Sequence, residues 1–502
     1  MTSRSRRAGL AGLSALLVAV ACAVPMAHTP QGPAMVSGPS AASAVTTGAR
    51  PASATAAAPP NIVFILSDDQ DASLEQMPRL RALVADQGLT FERFFASNPL
   101  CAPARASLLT GLHAHTHGVT ANRAPEGGFE RFRDSGLEAD TVAVWLRAAG
   151  YRTGLVGKYL NRYPGDARDA NLAYVPPGWD LFAAFFAPDR NSGSYYDYYV
   201  NLHGDPTFYP KRPADYITDH IARLALEAID TLPGPNGAPF FLLVTPNAPH
   251  SPPVPADRHA GSLAGLGAPR VGAFNEADMS DKPAYYQQLP LLDGRALDRL
   301  DALHQARQET LLAVDELVEA LVRRLDQRGL LANTYVVYSS DNGFMLGQHR
   351  FAQGKDVPYD ESIRVPLVVR GPGVPRGVTA ELVANVDLPV TFAELGGARV
   401  PATVEGRSIV ALLQGRSGSG RDEVLLEHSA DPGDADGVPA YVGLRTRAFA
   451  YIEYDAGERE LYDLAADPSQ EENLAGRADP ALVAPLAARL RQLRACRGAG
   501  CR

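Results

Sequence analysis

Lysine is scarce in this 502-residue chain: Lys158, Lys211, Lys282 and Lys355 stand against 43 arginines. A side chain needed only for its charge can be arginine, so each surviving lysine is a candidate for a place that wants a compact ammonium. Cysteine is equally scarce. Four residues, Cys22, Cys101, Cys496 and Cys501, exclude a fold built on disulfides. Cys496 and Cys501 are close enough in sequence to pair after export, which leaves Cys101 over. An unpaired cysteine in an exported chain is either buried and inert or chemically used. Beyond the N-terminus no apolar run reaches the roughly 20 residues that span a bilayer. There is no Asn-x-Ser/Thr sequence, which fits a bacterial source. With a formal charge of −9, non-specific nucleic-acid binding is excluded. An anionic ligand must be drawn by a local positive cluster.

What is present begins with an expected export signal over residues 1–27. Arg4, Arg6 and Arg7 precede a short apolar stretch, residues 8–24, and Ala19-Val20-Ala21 offers small residues for cleavage. Residues 5–10 are similar to a twin-arginine signal, and Cys22 leaves a lipid anchor open as an alternative. The expected location is secreted or extracellular. Residues 28–60 are Ala, Pro, Ser and Thr with almost no charge, as expected of a disordered linker. The three arginines of the signal leave with it, so the remainder is near −12.

Hydrophobic content of 46% over the whole chain supports a sizeable core, which is expected from Asn61 onward. Apolar runs predict strands over residues 62–66, 153–156, 240–244, 335–338 and 365–369, and helical spacing predicts helices over 74–84, 141–149, 221–232, 311–325 and 388–395. Alternating helices and apolar strands imply an α/β fold with a large, mostly parallel sheet flanked by helices. Functional loops in such folds follow the strand C-termini. After residue 400 the pattern changes. A Gly/Ser/Arg stretch at 415–420 precedes alternation over 441–454, which predicts an antiparallel hairpin, and a last helix over 480–494. The expected domains are a catalytic one over 61–400 and a small C-terminal α+β subdomain over 401–502.

Three motifs carry chemistry. Asp68-Asp69 follows the first buried strand, and two adjacent carboxylates there invite a divalent cation. Asp341-Asn342-Gly343 follows another strand and offers oxygen donors suited to a hard ion such as calcium, with magnesium second. Either motif alone is as well explained by a solvated turn. The third is Cys101-Ala102-Pro103-Ala104-Arg105-Ala106-Ser107-Leu108-Leu109-Thr110-Gly111. It resembles the signature of the formylglycine-dependent sulfatases, members of the alkaline-phosphatase-like superfamily. Gly157-Lys158-Tyr159-Leu160-Asn161, Ala248-Pro249-His250-Ser251-Pro252, Gly354-Lys355 and residues 364–373 extend the resemblance. It points most closely to the N-acetylglucosamine-6-sulfatase and arylsulfatase branch.

The resemblance implies that Cys101 is converted to formylglycine (3-oxoalanine) by a formylglycine-generating enzyme. It implies that Asp68, Asp69, Asp341 and Asn342, with residue 101, hold calcium, and that Arg105 holds the formylglycine hydrate. Lys158, Lys355 and His250 would contact the sulfate of a sulfate ester, a sulfated sugar being the expected substrate. His250 is the first choice of general acid and Lys355 the second. Many sulfatases carry histidine where this chain has Leu160, so another base is needed for sulfate release. His113, His115 and His117 are candidates for that role or for substrate contact, as is His349 for the pocket. Two alternatives remain open at this point: a phosphonate monoester or phosphodiester hydrolase of the same superfamily, and a non-catalytic binder of sulfated glycans. A zinc phosphatase is disfavoured by a site rich in oxygen donors and poor in histidine.

Overall fold

A computed structural model describes residues 58–165, 171–189, 194–234, 236–430 and 437–502. The expected export signal and nearly all of the expected linker lie outside the described residues.

Ten strands form the main sheet. Their spatial order is Gly377–Thr379, Leu89–Phe91, Leu367–Arg370, Thr334–Ser340, Asn61–Ser67, Phe240–Thr245, Arg152–Gly157, Leu181–Phe186, Tyr198–Leu202 and Asp205–Tyr209. The five from Thr334–Ser340 to Leu181–Phe186 are parallel. Leu367–Arg370 runs antiparallel to both of its neighbours. Asn61–Ser67 sits at the centre and shows why such strands read as continuous apolar runs. Ile62, Phe64 and Leu66 enter one core, whereas Val63 and Ile65 enter the other. Burying these five side chains is worth roughly 10 kcal/mol, before the entropy of ordering the chain is subtracted. Helices Cys101–Thr110, Val142–Ala148 and Asp387–Leu395 cover the first face. Helices Ile217–Thr231 and Gly294–Gln327 cover the second.

The C-terminal sheet is antiparallel in sequence order: Glu423–His428, Tyr441–Thr446, Phe449–Tyr454 and Arg459–Asp463. Leu425, Leu444, Tyr451 and Leu461 on one face meet Leu490 and Leu493 of helix Pro480–Arg494. Val424, Leu426, Ala450 and Ile452 on the other meet Tyr286, Tyr359 and Phe95. Cys496 and Cys501 form a disulfide.

One expectation needs correction, and one pair of strands was not foreseen. The edge pair Tyr198–Leu202 and Asp205–Tyr209 carried no strand prediction. Gly204 in the left-handed region and Pro206 disguised it as a loop, and the edge strand's half-exposed residues show no clean alternation. The helix expected over 311–325 runs from Gly294 to Gln327, 34 residues, because its N-terminal half lies largely toward solvent and carries little apolar signal.

Candidate active site

The four strands Thr334–Ser340, Asn61–Ser67, Phe240–Thr245 and Arg152–Gly157 are neighbours and parallel, so their C-terminal ends meet along one edge. The next residues are Asp341-Asn342, Asp68-Asp69, the Asn247–His250 loop and Lys158. Gly157 has φ +122°, and a Cβ there would lie 2.2 Å from Thr245 O. Only glycine therefore lets the chain turn Lys158 inward. Cys101 opens the helix that begins beside this edge and is wholly buried. Its helix start is tied down by Ala102 N, which donates to Asn122 Oδ1 at 2.9 Å.

The side chains converge on Asp68 and Asp69. Cys101 Sγ lies 3.4 Å from Asp68 Oδ1 and 3.6 Å from Asp69 Oδ1. Lys158 Nζ donates to Asp68 Oδ2 at 2.6 Å. Lys355 Nζ donates to Asp69 Oδ1, and also to Cys101 Sγ at 2.7 Å. Asn342 Nδ2 donates to Asp69 Oδ1 at 2.8 Å, and Asp69 N donates to Asp341 Oδ1 at 3.0 Å. Arg105 Nε donates to Asp341 Oδ2 at 2.8 Å, its Nη1 donates to Lys158 O at 3.3 Å, and its Nη2 lies 3.6 Å from Asp68 Oδ2. His250 Nε2 is 3.7 Å from Asp69 Oδ2, with Nδ1 on Ser251 O at 2.6 Å. Three buried carboxylates thus face the buried cations Lys158 and Arg105, the partly exposed Lys355 and one imidazole.

Burial opposes the ionisation of Asp68, but Lys158, His250, Arg105 and Lys355 outweigh it and hold its carboxyl far below the usual range. Asp69 is likewise brought down to about 2, with Lys355 and His250 overcoming burial. Asp341 is pushed up to about 6 by burial and by the charge of Asp68. Burial pushes the Cys101 thiol well up and the His250 imidazole down.

These residues suit a hard cation. Asp68, Asp69, Cys101 and His250 each offer a ligand atom, all within 4.8 Å of one another. Asn342 Oδ1 is buried and has no hydrogen-bond partner among the described residues. A buried acceptor left bare is costly, and an ion accepting that oxygen would satisfy it.

Two expected pocket residues are not brought to this cluster. His117 Nε2 meets Ser107 Oγ at 3.1 Å and its Nδ1 accepts from Val119 N at 3.0 Å. It sits on the short helix after the Cys101 helix, facing back onto it. Burial, with His115 beside it, brings its imidazole down to about 3. His349 is fully buried, with Nδ1 at 2.7 Å from Glu276 Oε2 and its ring stacked 3.8 Å from that of Tyr359. His113 stacks on His115, and His115 bridges Glu427 Oε1 at 2.6 Å and Cys496 O at 3.1 Å. His115 therefore joins the region after Cys101 to the C-terminal part. Leu160 is core.

Arg307 was missed from sequence. It is 1% exposed, and its guanidinium donates to Pro249 O at 3.0 Å and to Asp69 O. The available signal was an arginine on the apolar stripe Leu300, His304, Leu311, Val314 of a long helix.

A family model described as Sulfatase matches residues 60–398. The chain belongs to the sulfatase family. This sulfatase is a sulfuric ester hydrolase, and a second model, N-sulphoglucosamine sulphohydrolase, C-terminal, matches residues 347–496. Human N-acetylglucosamine-6-sulfatase is 34% identical over 480 residues, covering 88% of this chain and 86% of that one. A solved protein in complex with its substrate, D-glucosamine-2-N,6-O-disulfate, superimposes with a TM-score of 0.72 at 25% identity, over 87% of the sulfatase and 97% of that chain. The phosphonate monoester hydrolase of Silicibacter pomeroyi shares the fold, with a TM-score of 0.67 at 23% identity over 86% and 94% of the two chains. Among the described residues of the sulfatase, no helix is long and apolar enough to cross a membrane.

Proposed function

We propose that this sulfatase removes sulfate from a sulfated sugar of the N-acetylglucosamine-6-sulfate type, using formylglycine made from Cys101 and a calcium ion held by Asp68, Asp69, Asp341, Asn342 and residue 101. The observation that carries the reading is the convergence of Cys101, Lys355, Lys158 and His250 on two buried, ionised carboxylates. The curated relatives of that name, matched over most of their length, support the substrate class. Magnesium is the second choice of ion. Residues 61–400 form the catalytic domain in this reading, residues 401–502 the subdomain, and residues 1–60 the export signal and tether of a secreted protein.

Formylglycine hydrate supplies a hydroxyl nucleophile toward sulfur and a second hydroxyl whose ionisation expels sulfate, while calcium supplies fixed positive charge at the sulfate oxygens. The protein's own groups do the rest. The carboxylates and cations of the cluster balance, so a bound dication makes it net positive and suited to a sulfate monoester. The ammoniums of Lys158 and Lys355 are the donors for the sulfuryl oxygens, and their compact heads explain why lysine survives at both places. Arg105, fixed between Asp341 and Lys158 O, orients residue 101. His250 is pinned through Nδ1–H on Ser251 O, so it gives a proton from Nε2 to the departing alcohol only as the imidazolium, the form that burial disfavours. Lys355 is the alternative donor. The base for sulfate release is not Leu160, which is apolar core, nor His117, whose ring is engaged elsewhere. His250, once deprotonated at Nε2, serves that step in this reading.

The test is kcat/KM of naturally matured protein on sulfated monosaccharide regioisomers and on a phosphonate monoester, with the mass of the Cys101 peptide. An aldehyde at 101, and a kcat lowered roughly 10⁴-fold in Cys101→Ser, are the expected results. An intact thiol in fully active protein sinks the reading. Higher kcat/KM on the phosphonate would favour the other hydrolase class.

A further inference from the structure

Arg307 lies midway along the helix Gly294–Gln327, pointing into the protein on a buried stripe that also carries Leu300, His304, Leu311 and Val314. Among the described residues no carboxylate lies within ion-pair distance of its guanidinium. Its partners are two main-chain carbonyls and the face of Phe344, 3.8 Å below. Burying a cation without a counter-ion is unfavourable, and an apolar side chain of similar volume would pack there at lower cost. Stability alone does not account for it.

Its two carbonyl partners come from the two site loops. One is Asp69 O. Asp69 has φ +67°, the left-handed region that a non-glycine residue adopts at a cost. In that conformation its carboxylate faces Asn342, Lys355 and Cys101 while its carbonyl turns back to Arg307. The other is Pro249 O, one residue before His250. The same helix reinforces this hold. Thr310 Oγ1 donates to Arg307 O at 2.7 Å, and Tyr195 Oη, beside Thr310, donates to His250 O at 2.9 Å. One planar fork thus spans the carboxylate that would meet the ion and the imidazole that would move the proton, whose ring lies 3.7 Å from that carboxylate.

We infer that Arg307 is a positioning residue: it fixes Asp69 against His250, so that cation affinity and proton delivery depend on one buried guanidinium that touches neither ion nor substrate. The inference rests on the proposed roles of Asp69 and His250. Lysine cannot replace it, because a single ammonium lacks the rigid fork that reaches both carbonyls at once.

The experiment uses the full chain as Arg307→Lys and Arg307→Met, with Arg323→Met on the exposed side of the same helix as control. Calcium affinity is read by calorimetry, kcat and KM on an aryl sulfate across pH, and folding by thermal melting. Arg307→Lys is expected to fold, to bind calcium about tenfold more weakly, and to lose about 10- to 100-fold in kcat with KM changed less than threefold. Its pH profile shifts, because His250 is released, and the control stays at wild-type values. Arg307→Lys within twofold of wild type in both affinity and kcat overturns the inference. So does a lowered melting temperature in Arg307→Met with affinity, kcat per folded molecule and pH profile unchanged, which is the signature of a merely structural role. Wild-type protein that binds no calcium counts against the proposed function, and Arg307 is then decided by kcat and the pH profile.

Discussion

Two buried acidic centres in this molecule solve the same problem in opposite ways. Asp68 and Asp69 are surrounded by full charges, Lys158, Lys355, Arg105 and His250, and are held ionised. Glu460, in the C-terminal sheet, is equally inaccessible, but its nearest partners are hydroxyls. Tyr359 and Tyr462 donate to Oε1 at 2.8 and 3.0 Å, and Tyr454 donates to Oε2 at 3.0 Å. Burial pushes Glu460 up to about 7 against the pull of those tyrosines and Lys282. Dipoles satisfy a carboxyl group, whereas ion-paired ammoniums keep it charged. In the proposed reading a dication takes the place of the ammoniums on the carboxylates of the first centre, and the ammoniums turn to the anionic ester. The second offers nothing to exchange and serves packing between the sheet and Tyr359.

The sharpest break of this comparison is in turnover. Asp69→Asn is expected to lower kcat on a sulfate ester by roughly 10³-fold or more and to weaken calcium binding. Glu460→Gln leaves kcat within about twofold. Equal losses in both variants would erase the distinction. Lys158→Arg keeps the charge but loses the compact head, and a fall of about 10²-fold in kcat/KM is expected. Stability against pH gives the next effect. Glu460 titrates near 7 in the folded chain against an ordinary value of 4.5. The folded form thus keeps a proton that the unfolded chain releases, and stability falls as pH rises from 4.5 to 7 and is level above. The full effect is at most about 3 kcal/mol. Melting curves of Glu460→Gln should lack that decline. The smallest change is His349→Gln, which should leave kcat within about threefold while costing about 1 kcal/mol in denaturant unfolding. A larger kcat loss would return His349 to the pocket.

The site was legible where its chemistry is local. Asp68-Asp69, Lys158, His250 and Asp341-Asn342 each follow a strand whose apolar run is visible, and strand order then brings them together. Arg307 was not legible because its carbonyl partner at Asp69 is 238 residues away and main chain carries no side-chain signal. His117 and His349 misled for the reverse reason. Each stands near a motif in sequence, but helix direction turns one onto Ser107, and the other is stacked on Tyr359. Of the fold, the central strands were readable from their continuous apolar runs, and the hairpin Tyr441–Thr446 with Phe449–Tyr454 from its alternation. The edge strands near Tyr198 and Asp205 were not, since an edge is half exposed and need not alternate.

Every residue of the helix that Cys101 opens is enclosed by the rest of the protein. On the proposed conversion of Cys101, the modifying enzyme would have to meet the Cys-x-Pro-x-Arg segment before this helix docks. The order of modification and folding would then decide whether a given chain matures.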